Sequence, residues 1–200
     1  GLDPEMCQNL LVENCMFDQG DDAIAVKSGR APEGWRLKTP SKNIVIRNCT
    51  MVNGHQLLAV GSELSGGIEN VSVENCRTSD SVKMFHLVFI KSNERMGGYV
   101  KNIFVKNITG GNMQYGVLGI ETDVLYQWKS LVPTLVRKLT PISDIYLENI
   151  GAKSGQFVSR ILGQPELPIR NVHLKNVSVE QIRGDKKHIQ ENINNFDSDN

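Results

Sequence analysis

Two hundred residues with 40% apolar and 22% charged content make an ordinary packed chain rather than a disordered one. Twenty-two basic residues balance twenty-two acidic ones, so no global field argues for nucleic acid or an anionic membrane as partner. No run approaches the roughly 20 apolar residues that span a bilayer, and no basic-then-apolar start of signal-peptide type opens the sequence.

The opening Gly1-Leu2-Asp3-Pro4 reads as the middle of something. Asn9-Leu-Leu-Val-Glu-Asn14-Cys15 follows, with apolar and polar residues alternating as in a half-buried strand. The same pattern returns at Asn43–Cys49, Asn70–Cys76, Asn102–Ile108, Asp144–Ile150 and Asn171–Val177. Successive starts lie 34, 27, 32, 42 and 27 residues apart, a period that belongs to solenoids or propellers. A second apolar strand follows in five units: Ala23–Lys27, Leu57–Val60, Leu87–Lys91, Gly116–Ile120 and Phe157–Ile161. With no convincing amphipathic helix between them, the strands cannot build a doubly wound sheet. They can form coils that stack, each burying the apolar face left open by the last. The expected fold is all-β, a right-handed single-stranded parallel β-helix.

The sixth residue of each unit is Asn (Asn14, Asn48, Asn75, Asn107, Asn149, Asn176). Asn tolerates a left-handed corner, and its amide can bond the copies above and below. Cys15, Cys49 and Cys76 follow three of these corners. Equivalent positions of stacked coils lie about 4.8 Å apart, near enough for a disulfide, but inward-pointing free thiols are the plainer expectation. Residues 29–42, rich in Pro and Gly, read as a surface loop. From Gln181 onward the pattern decays into a polar, Asn-rich tail. Neither end looks capped, so the chain reads as one partial β-helix domain over residues 1–200, cut at its N-terminus, with its C-terminus open to the same reading.

The chemistry-bearing stretch is Gly20-Asp21-Asp22, directly before the strand Ala23–Lys27. Neighbouring side chains of a regular strand face opposite ways, so one carboxylate would enter the core, which is costly if unpaired. Gly20 suggests a bend that turns both outward. An acidic turn capping a strand is the other reading, and the pair alone does not decide.

Its surroundings do. Gly1-Leu-Asp3-Pro4, Gly20-Asp21-Asp22, Lys27-Ser-Gly29, Gly54-His55, Gly61-Ser-Glu63 and Ile90-Lys91, in that order, resemble the polygalacturonase signature of glycoside hydrolase family 28. There an N-T-D-G element, a D-D pair, a G-H-G element and an R-x-K element surround one cleft of a pectin-lyase-like solenoid. Gly61–Gly67 and Glu121–Trp128 look most like bacterial, exo-acting members. The resemblance implies inverting hydrolysis of α-1,4-galacturonosyl bonds without metal or cofactor. It implies a pectic polysaccharide or oligogalacturonide as partner, and a secreted or periplasmic site of action. It makes Asp21 the general acid and Asp22 an aid to water activation beside a carboxylate of the N-T-D-G element. It makes His55 a residue that steers the acid or holds the sugar, and Lys91, Lys27 and Asp3 substrate-binding residues. Read from the residues themselves, Tyr126-Gln127-Trp128 fits either a wall for sugar rings or a cover over the edge of a coil, and Arg30, Trp35 and Arg36 of the 29–42 loop can line an anion-binding wall.

Three departures stand out. The chain starts at the Gly after the expected N-T-D, so the piece is expected to be impaired. Gln56 follows His55 where the pattern has Gly, and Phe89 or Val88 stands where it has the Arg of R-x-K. A Lys alone meets a carboxylate as a point charge rather than a two-pronged fork, which brings a less acidic, rhamnogalacturonan-type backbone into view. A calcium-dependent polysaccharide lyase and a non-catalytic polysaccharide-binding β-helix are the rivals from other classes.

Overall fold

The computed structural model of the chain describes residues 1–80, 83–124 and 134–199. Every named strand pairs parallel to its neighbours, and each coil contributes to three faces. The first face stacks β1 (Gln8–Glu13), β4 (Ser41–Arg47), β7 (Ile68–Glu74), the start of β10 (Val100–Glu121), β11 (Ile142–Gly155), β13 (Ile169–Ile182) and β15 (Ile193–Asp199). The second carries β2 (Met16–Asp18), β5 (Thr50–Asn53) and β8 (Arg77–Thr78), then the middle of β10. The third stacks β3 (Ile24–Val26), β6 (Gln56–Gly61), β9 (Lys83–Lys91), the end of β10, β12 (Phe157–Leu162) and β14 (His188–Glu191). This is the parallel β-helix that the repeat pattern predicts, with the second strands of the repeats forming the third face.

Register explains why the pattern is so legible. Leu10, Ile44, Val71, Ile103, Ile145, Val172 and Phe196 form one column, and Val12, Ile46, Val73, Val105, Leu147 and Leu174 another. The inner members of both columns are almost wholly buried, each worth about 1.5–3 kcal/mol in apolar area removed from water. Both ends of the first-face strand are left-handed Asn corners. The sixth-place Asn residues have φ between 52° and 55°, and the starting Asn or Asp residues have φ between 56° and 61°. Their amides form ladders: Asn43 to Asn9 3.0 Å, Asn70 to Asn43 3.1 Å, Asn102 to Asn70 2.9 Å. On the other corner, Asn149 bonds Asn107 at 3.2 Å and Asn176 bonds Asn149 at 2.9 Å.

Three expectations change. The polar stretch after Gln181 is not a decayed tail, because β14 and β15 continue the stack and Asn195, at φ 58°, repeats the corner. The loop at 29–42 contains one short helix, α1 (Glu33–Leu37). All four cysteines are free, but only Cys49 and Cys76 are buried in the core; Cys15, at the equivalent corner one coil earlier, is exposed. Burial pushes the Cys76 thiol up to about 11 and raises that of Cys49 as well, so both stay protonated and unreactive.

Candidate active site

A groove of about 770 Å³ crosses five coils along the third face. Its near end is the acid pair. The chain bends at Gly20–Asp21, and Asp21 turns out to solvent with its side chain 81% exposed. Asp22 turns the other way and is buried, its side chain only 8% exposed. The expectation that both carboxylates face outward is therefore corrected for Asp22. Its burial is offset by an ion pair, with Lys91 Nζ at 3.2 Å from Oδ2, whereas Oδ1 meets no donor among the described residues. Burial raises the proton affinity of Asp22, with a smaller push from Asp21, while Lys91 opposes both.

His55 comes to Asp21 from the next coil. Its Nδ1 lies 3.2 Å from Asp21 Oδ1, and its ring stacks on Phe85 at 4.3 Å between centroids. Gly54 makes this approach possible. It adopts φ +132°, and a Cβ there would fall 2.3 Å from the Asp21 carbonyl oxygen, which accepts the His55 backbone N–H. Gln56 is buried beside Asp22 on the groove floor, and its carbonyl takes the Ala23 N–H at 2.8 Å. Asp21, Asp22 and His55 bring their donor atoms within 4.8 Å of one another. Such a trio can meet a cation, but the Lys91 ammonium already serves as the internal counter-ion of Asp22.

Lys27 and Asp3 both line the groove. Lys27 bonds Glu63 Oε2 at 2.8 Å, and Arg30 holds the other oxygen through Nε at 3.2 Å and Nη2 at 2.9 Å. Burial works against the Glu63 charge, yet these cations hold its carboxyl down at about 2. Glu63 was quoted in the sequence only as part of a motif; the structure makes it the anchor of two groove cations. Of the expected anion wall, only Arg30 reaches the groove. The Trp35 indole donates to the Met96 carbonyl at 2.8 Å with Lys138 over its ring, and Arg36 pairs with Glu33 outside. Tyr126-Gln127-Trp128 lies outside the described residues.

The far end is aromatic. His86 stacks between Phe89, at 4.6 Å, and Tyr115, at 5.1 Å. Burial, with Arg160 and Lys91 adding repulsion, lowers the His86 pKa to about 3, so the ring is neutral. Arg160 and Glu121 close this end, paired at 2.9 Å. Neither was singled out in the sequence, although both lie in quoted segments; only coil register carries them to the groove.

The chain as a whole has known relatives. The family described as Glycosyl hydrolases family 28 matches residues 1–199. A probable polygalacturonase of Vitis vinifera is 31% identical over 193 residues, covering 94% of this chain and 37% of that protein. An exo-poly-alpha-D-galacturonosidase of Dickeya chrysanthemi is 35% identical over 68 residues, 34% of this chain and 11% of that protein. The crystal structure of a hyperthermoactive exopolygalacturonase from Thermotoga maritima superposes with a TM-score of 0.76 at 30% identity, over 90% of this chain and 40% of that one. The chain thus spans about two fifths of the grape and Thermotoga relatives. With the match running along essentially all of its length, the chain belongs to glycoside hydrolase family 28.

Proposed function

We propose that this coil stack carries the cleft of a polygalacturonase-like hydrolase that cleaves α-1,4-galacturonosyl bonds with inversion. The observation that carries the reading is the Asp21–His55 and Asp22–Lys91 arrangement at one end of a groove long enough for several sugar residues. Asp21 is the general acid, because its exposed carboxyl can reach a leaving oxygen and His55 fixes its orientation. Asp22 faces inward, where it sets the local charge and shares in handling the water. Donor atoms within 4.8 Å put this pair closer than the roughly 6.5–9.5 Å between carboxyls that admits a water in an inverting enzyme. The water's main base is therefore a third carboxylate, as the N-T-D-G element of the family pattern supplies. Lys27, Arg30 and Asp3 contact the substrate, and two cations sharing the one Glu63 carboxylate leave a spare positive charge for a uronate. The resemblance carries with it a secreted or periplasmic setting.

Phe89 at the floor in place of an Arg favours a second reading, a rhamnogalacturonan-type backbone. The test, made on a longer chain that carries the N-T-D-G carboxylate, is hydrolysis of polygalacturonate and of rhamnogalacturonan, with reducing-end release and ultraviolet absorbance both recorded. Reducing ends without ultraviolet absorbance, unaffected by chelator, are expected on polygalacturonate. An absorbing, calcium-dependent product would mean a lyase, and binding without cleavage a non-catalytic module. Asp21→Asn should cut turnover by roughly 10²–10⁴-fold while leaving affinity nearly unchanged.

A further inference from the structure

The groove continues well past the acid pair, and coil register shows what its far half is made of. Ala25, Ala59, Phe89, Gly119 and Arg160 occupy one column of the third face. Gly61, Lys91, Glu121 and Leu162 occupy the column two residues on, so Lys91 and Glu121 are direct neighbours on adjacent coils. Coils rise about 4.8 Å each, so Arg160 starts about 10 Å along the axis from Phe89. Gly119 between them carries no side chain, and a Cβ there would lie 2.7 Å from His86 Nε2 and 2.9 Å from the Phe89 ring. The Phe89–His86 stack therefore fills the floor beneath, while the Arg160 guanidinium leans back one coil to meet Glu121 Oε1 through Nη1 at 2.9 Å.

Two cations thus face the groove on either side of one carboxylate. Lys91 is largely enclosed, 12% exposed, and committed to Asp22. Arg160 is 38% exposed, and a guanidinium has five donors in a fixed fork, of which the Glu121 bond uses one edge. A carboxylate approaching along the groove therefore meets a planar fork backed by an apolar aromatic floor, which lowers the local dielectric and strengthens the contact.

We propose that Arg160 is the residue by which this groove recognises a free uronate carboxylate, from the fifth coil and about 10 Å along from the position of Phe89. The proposal rests on the pectic reading above and narrows it: the sugar held at the far end is a non-esterified uronate rather than a neutral residue. Glu121 is the positioning partner, holding the fork forward while competing with the ligand for it.

Calorimetric titration of this chain with trigalacturonate and with its methyl-esterified counterpart, at low salt, tests this. Arg160→Ala should weaken trigalacturonate about 10- to 100-fold and leave the ester within about twofold. Arg160→Lys should fall between, keeping the charge without the fork. Glu121→Gln should tighten trigalacturonate by severalfold, because it frees the fork and removes a repelling charge; a packing role for the pair would not produce that gain. Unchanged trigalacturonate affinity in Arg160→Ala, or equal weakening of both ligands, overturns the assignment while the unsubstituted chain's binding keeps the pectic reading intact. If the unsubstituted chain binds neither ligand, the pectic reading falls and this one with it.

Discussion

Asp22 is a charge held where charge is costly, and its sign can be worked through. Burial raises its folded pKa above the ordinary 3.8, so in the interval above 3.8 the folded protein keeps a proton that the unfolded chain has lost. Stability therefore falls as pH rises through that interval. Lys91 limits the loss, and Lys91→Met removes the limit. That variant should lose roughly 3–5 kcal/mol near neutral pH, as buried pairs do when one partner goes, and recover most of it below pH 3.8; urea melts at both pH values would show the difference. Equal losses at both would mean that Lys91 acts through packing. His86 has the opposite sign. Its pKa of about 3 against an ordinary 6.5 means that the unfolded chain takes up a proton the fold refuses. Stability is then present above 6.5 and lost as pH falls toward 3, at roughly 1.4 kcal/mol per pH unit. His86→Phe should flatten the dependence of Tm on pH across that window. At this scale the sequence showed Asp21, His55 and Lys91 as one cluster, because motif order carries such information. It misjudged Asp22, since the cation that permits its burial lies 69 residues away, and it passed over Glu63 and Arg160, whose places depend on register between coils.

The strands owe their definition to their corners as much as to their apolar faces. Asn70 has φ 56°, donates to Asn43 and accepts from Asn102. Asn70→Ala should cost about 1–2 kcal/mol for the left-handed backbone alone, plus about 0.5–1.5 kcal/mol for each lost amide bond. Asn70→Gly should recover the backbone part and not the bonds; a glycine variant no better than the alanine one would show that the ladder, not the backbone, sets the corner. The six strands and one corner column could be read from the repeat because the same inward positions return in every coil. The second corner column was present in the same segments as their starting Asn or Asp, but a left-handed φ is not visible in a residue name. The strands β2, β5 and β8 have two to four residues each, too few for an alternation to register. β15 escaped notice because its burial pattern is mostly partial or exposed; only Ile193 and Phe196 extend the core columns, and Asn195 was the signal that marked it.

Stacked coils touch only their neighbours, so the molecule behaves as a one-dimensional array whose stability is a sum of coil and interface terms. Inner coils have two interfaces and the outermost have one. Burial follows this: β7 alternates between buried and partly exposed positions, whereas β1 has one buried residue and β15 has none. Amide hydrogen exchange should therefore be slowest in β7, the first half of β10 and β11, and faster toward both β1 and β15, because local opening proceeds from the ends. Uniform protection along the stack would contradict the array picture and indicate a single cooperative unit. The candidate catalytic pair lies beside β3, whose other edge pairs with Leu2 and Glu5, and its partners His55 and Lys91 come from the next two coils. The groove crosses five coils, and a ligand lying along it bridges interfaces that otherwise open independently. Saturating trigalacturonate should then slow exchange at β3 and β6 more than at the already protected β10, with the protection growing by RT ln(1 + [L]/Kd). Protection confined to coils four and five would mean that the sugar binds only the far half and leaves the acid pair unengaged.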